Sequence, residues 1–72
     1  MSHILVTGSS GLLGRHVASA LLDAGHVVTG LDMMAPPPGS GWAHVTAAAG
    51  ALGVLAGLAA GKDVLVHIAA IP

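Results

Sequence analysis

A run of β-branched and leucine residues from His3 to Thr7 breaks into Gly8-Ser9-Ser10-Gly11-Leu12-Leu13-Gly14, with three glycines spaced three residues apart. Apolar residues then return at helical spacing as Leu13, Val17, Leu21 and Ala24, with Ala18 and Ala20 alongside. The junction therefore reads as strand, tight turn and helix, a run as short as His3 to Thr7 being too short for a helix. Each glycine has its own physical reason. Gly8 permits the turn out of the strand, Gly11 lets a bound group approach the backbone with no Cβ in the way, and Gly14 lets helix and strand pack closely. The first helical turn leaves backbone N–H groups unpaired at residues such as Leu12 and Leu13, and the helix macrodipole adds partial positive charge, so the turn suits a phosphate. Ser9 and Ser10 read as hydroxyls of that phosphate loop, and Arg15 beyond it adds a charge.

The remaining elements alternate in the same way. Gly25 stands where a left-handed cap ends the helix, and His26 to Leu31 follows as a second strand with Asp32 at its end. Pro36, Pro37, Pro38, Gly39 and Gly41 make Met33 to Gly41 a loop. Trp42 to Thr46 is a weaker strand. Ala51 to Ala60 is a helix with Leu52, Leu55 and Ala59 on one face, capped by Gly61, and Asp63 to Ile68 is the clearest strand of all. The order β-α-β-loop-β-α-β predicts an α/β fold. Right-handed crossovers then give a doubly wound parallel sheet of strand order 3-2-1-4, with the two helices on opposite faces. A binding crevice is expected at the carboxyl ends of strands 1 and 4.

Within that frame Asp32 carries specificity. It ends the second strand about 20 residues past the glycines, where a carboxylate accepts hydrogen bonds from both hydroxyls of an adenosine ribose, the competing reading being a residue that caps its own loop. Its charge repels a 2′-phosphate and no Arg or Lys follows it in the loop, so NAD is expected ahead of NADP.

Composition limits the alternatives. With 72 residues, 54% apolar and 7% charged, the chain is one small domain that builds a small core and has marginal stability. A formal net charge of −1 with two basic side chains excludes the basic footprint of a nucleic-acid binder. The absence of cysteine excludes a disulfide framework and a thiolate metal site, and with no secretory signal pattern the expected location is cytoplasmic. Val45 to Gly61 is uncharged and carries Gly53, Gly57 and Gly61 at four-residue spacing, yet it is near the roughly 17-residue minimum for a bilayer span and mostly Ala and Gly. No membrane partner is expected.

In these features the sequence resembles the N-terminal portion of an extended short-chain dehydrogenase/reductase of the NAD-dependent epimerase/dehydratase family. The resemblance rests on Thr7-Gly8-x-x-Gly11-x-x-Gly14, Asp32 and Asp63-Val64-Leu65-Val66-His67-Ile68-Ala69-Ala70. It implies that residues 1–72 are the N-terminal portion of a dinucleotide-binding Rossmann domain, without a substrate domain. The cofactor contacts expected are Gly8, Ser10, Gly11, Leu12, Leu13, Gly14, Asp32 and Met33, together with Ala69 and Ala70, whose small side chains let the cofactor lie against the backbone. The chain departs from the family pattern where Thr46-Ala47-Ala48-Ala49 replaces an Asp after the third strand. The family's catalytic Ser or Thr and Tyr-x-x-x-Lys pair have no counterpart here, since tyrosine is absent, so no catalytic residue is assigned.

His3, His16, His26, His44 and His67 do not form a metal-ligand pattern, none pairing at i, i+4 on one helix. No metal site is assigned, and His67 is expected to satisfy a polar neighbour. Lys62 reads as a helix-end cation. Trp42 covers an edge or the underside of the core. The alternative to a cofactor-binding unit is a non-catalytic fragment that associates with itself through the exposed edge of the Val64 to Ile68 strand.

Overall fold

The computed structural model describes residues 2–48 and 52–68, apart from the side chains of Leu52 and Leu55. Its elements are β1 (His3–Thr7), α1 (Leu12–Asp23), β2 (Val27–Asp32), β3 (Ala43–Thr46), α2 (Leu52–Ala59) and β4 (Val64–His67). All strand pairs are parallel and the sheet order is β3-β2-β1-β4, as the alternation predicts. Ala51, expected to open α2, and Ala69 and Ala70, expected at the site, lie outside the described residues.

The register sorts side chains onto two faces. Ile4 and Val6 of β1 and Val28 of β2 pack with Ala18 of α1 and Trp42, and Leu21, Leu22, Val66 and Ile68 border this cluster. Leu5, Thr7 and Leu31 point the other way and are also fully buried. The parallel connection from β3 through α2 to β4 is assigned to that second face by the right-handed crossover rule. Val45, in the uncharged stretch, belongs to β3, and among the described residues no helix is long and apolar enough to cross a membrane.

The starts of β2, β3 and β4 move from their expected places, and α2 ends at Ala59 and β4 at His67, each one residue short of expectation. The Gly25 N–H donates to the Leu22 carbonyl and the His26 N–H to the Leu21 carbonyl, the two bonds of a Schellman motif, with Gly25 at φ +89°. His26 therefore belongs to the end of α1, and β2 begins at Val27. Its ring Nδ1 accepts the Ser2 N–H at 3.1 Å. Trp42 lies just before β3, buried in the core, rather than inside the strand. Asp63 precedes β4 and brackets the start of β1, its N–H donating to the His3 carbonyl and its Oδ2 accepting the His3 N–H, both at 2.8 Å.

Candidate functional site

The β1–α1 junction is built by glycines with different jobs. Gly8 has φ +73°, a conformation that side chains resist, and its carbonyl accepts the Gly11 N–H to close the turn. Gly14 is buried against that carbonyl, where a Cβ would come within 1.8 Å of the oxygen. Gly11 differs from both. Its backbone is extended at φ −75°, and a Cβ there would meet only the Gly8 oxygen at 3.5 Å, an ordinary contact. The fold needs glycine at positions 8 and 14, whereas at 11 it leaves space open above the loop.

No side chain caps the N-terminus of α1, where Gly11 is the N-cap and its carbonyl accepts the Arg15 N–H. Beside this end stands Asp32. Its Oδ2 accepts the Ser10 N–H at 3.1 Å and its Oδ1 the Met34 N–H at 2.9 Å, while the Ser10 hydroxyl donates to the Met34 carbonyl at 2.9 Å. The carboxylate thus faces the glycine loop and fastens it to the segment after β2. The two readings of Asp32 prove compatible, because each carboxylate oxygen that accepts one bond keeps a lone-pair position for a second donor. Further along, the Asp32 carbonyl accepts the Ala47 N–H, joining the ends of β2 and β3.

The two serines of the loop are placed differently from each other. Ser9 is 0% exposed, its side chain turned beneath the loop against Gly30, so its hydroxyl is not on the loop's outer surface. The N–H and hydroxyl hydrogen of Ser10 are both already engaged, making it a tie between loops. Arg15 stands on the exposed surface of α1. With His16 and Ser19 it faces Pro37, Pro38 and Trp42 across a groove along the side of α1.

Leu12, Leu13, Met33 and Met34 rim the loop with exposures between 64% and 70%. These four large apolar side chains form an exposed apolar rim beside the glycine loop. Met34 is a member of this group that its sequence position did not reveal. His67 does bond a polar neighbour, its Nδ1 lying 2.6 Å from Thr7 Oγ1.

Comparison with known proteins matches residues 4–72 to the model of the NAD dependent epimerase/dehydratase family. A probable UDP-glucuronate 4-epimerase of Rhizobium meliloti (strain 1021) is 53% identical over 32 residues, 44% of this chain and 9% of that protein. A short-chain dehydrogenase/reductase superfamily protein from Agrobacterium tumefaciens, crystallised with bound NAD, superposes with a TM-score of 0.81 at 34% identity, over 97% of this chain and 21% of that one. The Bordetella bronchiseptica enzyme WbmG, in complex with NAD and UDP, gives a TM-score of 0.79 at 27% identity, over 96% of this chain and 25% of its own. The chain spans about a quarter or less of the length of these proteins.

Proposed function

As the chain belongs to the NAD dependent epimerase/dehydratase family, we propose that it is the NAD-binding portion of an oxidoreductase of that kind. The observation that carries the proposal is Asp32, a carboxylate bonded to the Ser10 amide at the mouth of the glycine loop. Its remaining acceptor positions suit the two hydroxyls of an adenosine ribose, and its charge disfavours the 2′-phosphate of NADP. The pyrophosphate is assigned to the amides of Leu12, Leu13 and Gly14 at the α1 N-terminus, over the space that Gly11 leaves open. The exposed side chains of Leu12, Leu13 and Met33 give an adenosine apolar surface to lie against. Ala69 and Ala70 are assigned the backbone contacts that the family resemblance implies.

When bound, NAD supplies a hydride acceptor at its nicotinamide ring. This chain's own part is to bind and orient the dinucleotide. The sequence has no tyrosine, so the acid–base tyrosine that the family resemblance implies is not among these 72 residues. A nucleotide sugar is the substrate class proposed for the whole protein, in line with the epimerase relative and with the UDP bound to WbmG.

The test is calorimetric titration with NAD and NADP, with Asp32→Ala alongside. We expect saturable NAD binding, weaker NADP binding, and roughly a tenfold or larger loss of NAD affinity in the variant, the size of a lost charged hydrogen bond. Equal affinity for the two cofactors would remove the ribose assignment. A second reading, self-association through β4, is favoured by its place at the sheet edge with Val64 and Leu65 exposed.

A further inference from the structure

Thr7 ends β1 and His67 ends β4, and the two are register partners in the parallel pair. Their side chains are 2.6 Å apart, Oγ1 to Nδ1. Thr7 is 0% exposed, whereas His67 is exposed. The direction of this bond follows from its surroundings.

A hydroxyl carries one hydrogen, which needs an acceptor, and the Thr7 hydroxyl has no hydrogen-bond partner except His67 among the described residues. If the imidazole donated Nδ1–H to Oγ1, the threonine hydrogen would be a buried donor with nothing among the described residues to receive it, an arrangement that folded proteins avoid. If Thr7 donates, every hydrogen in the pair is satisfied. The neutral imidazole then carries its proton on Nε2. Nε2 lies across the ring from Nδ1, so that N–H is directed away from Thr7.

The location gives this donor its use. The strands run outward from β1 to β2 and β3 and then return to β4 on the other side of β1, so the carboxyl ends of β1 and β4 form the topological switch point where ligands of open α/β sheets bind. We propose that His67 is a further cofactor-binding residue, its Nε2–H donating to an acceptor oxygen of the bound dinucleotide, with Thr7 as the positioning residue that sets the ring's tautomer. This rests on the NAD-binding reading above.

Two experiments separate the parts. Long-range proton–nitrogen correlation spectra of the imidazoles, recorded without ligand at a pH where His67 is neutral, report the tautomer directly. The wild type and Thr7→Ser should show His67 with Nε2 protonated and Nδ1 bare, and Thr7→Val should show a mixture. A protonated Nδ1 in the wild type, or a Thr7→Val spectrum identical to it, overturns the positioning role. NAD titration then tests the contact. His67→Ala should lose about tenfold in affinity and His67→Gln, which keeps a donor near the Nε2 position, should stay within about threefold. Undiminished affinity in a folded His67→Ala removes the cofactor contact while leaving the NAD reading intact. Absence of NAD binding by the wild type overturns both, whatever the tautomer spectra show.

Discussion

Gly14 rests against Gly8 so closely that a methyl group at position 14 would stand 1.8 Å from the Gly8 carbonyl oxygen and 2.6 Å from its carbon. Gly11, between them in sequence, has no such neighbour, its nearest contact being 3.5 Å. Glycines of one motif therefore answer to different demands, and substitution should separate them. Gly14→Ala must push α1 off β1, and we expect a loss of about 2 kcal/mol or more in urea unfolding, or no folded protein. Gly11→Ala should stay within about 1 kcal/mol of the wild type, having no clash and losing only the preference for Gly over Ala at an N-cap. Its effect should appear in NAD titration instead, as weakened binding by a folded protein. Gly11→Ala as destabilising as Gly14→Ala would show that glycine at 11 serves the fold.

Asp32 has an observed structural role, and the proposed cofactor contact has to be separated from it. It accepts backbone N–H groups from Ser10 and Met34, so Asp32→Ala orphans two amides and should cost about 1–3 kcal/mol of stability as well as NAD affinity. Ser10→Ala removes only the hydroxyl bond to the Met34 carbonyl and leaves the carboxylate in place. It should lower stability by about 1 kcal/mol with NAD affinity nearly unchanged. Parallel thermal melts and titrations of the two variants decide the matter. Equal loss of affinity in both would mean that loop fastening, rather than the carboxylate's acceptors, governs binding.

What the sequence made legible was whatever depends on periodicity and on chain direction. The continuous apolar runs of β1 and β4, the helical spacing after Leu12 and the glycine turn between strand and helix are local patterns, and with right-handed crossovers they determine the strand order. The misplaced details depend on contacts distant in sequence. His26 reads as strand because it adjoins Val27, yet its N–H completes the cap of α1 and its ring meets Ser2. Asp63 reads as the start of β4 but bonds His3. Ser9 and Ser10 are adjacent hydroxyls in the same loop, and only the approach of Gly30 on one side and Met34 on the other shows that the first is buried and the second ties two loops. That Asp32 ends β2 beside the glycine loop was legible because both its place at a strand end and its distance from the glycines are sequence quantities.

Gly30 holds the space into which Ser9 turns. A Cβ at position 30 would lie 2.3 Å from Ser9 Oγ and 2.8 Å from both Ser9 Cβ and Trp42 Nε1. Gly30→Ala should therefore displace the glycine loop and Trp42 together, costing about 1–3 kcal/mol and shifting the tryptophan emission. The Ser9 Oγ and Trp42 Nε1 have no hydrogen-bond partner among the described residues. Ser9→Ala, which removes an unbonded buried polar atom, should consequently be neutral or slightly stabilising in the same unfolding assay. A marked loss of stability in Ser9→Ala would mean that its hydroxyl makes a bond that the geometry does not contain.

The sheet edge supplies the last prediction. β4 pairs with β1 on one side, and Val64 and Leu65 are 46% and 48% exposed. A parallel edge carrying apolar side chains presents backbone N–H and C=O groups to another strand, and charge is the usual device that prevents it. Neither Val64, Leu65, Val66 nor Ile68 supplies charge, and the flanking Lys62 and Asp63 are of opposite sign. Asp63 is moreover bonded to the His3 N–H. We expect sedimentation of the protein at tens to hundreds of micromolar to show species larger than a monomer. Leu65→Lys, placing a cation on the edge without touching β1's backbone bonds, should return it to a monomer with NAD binding unchanged. A wild type that stays monomeric across that range would show that the edge is adequately protected as it stands.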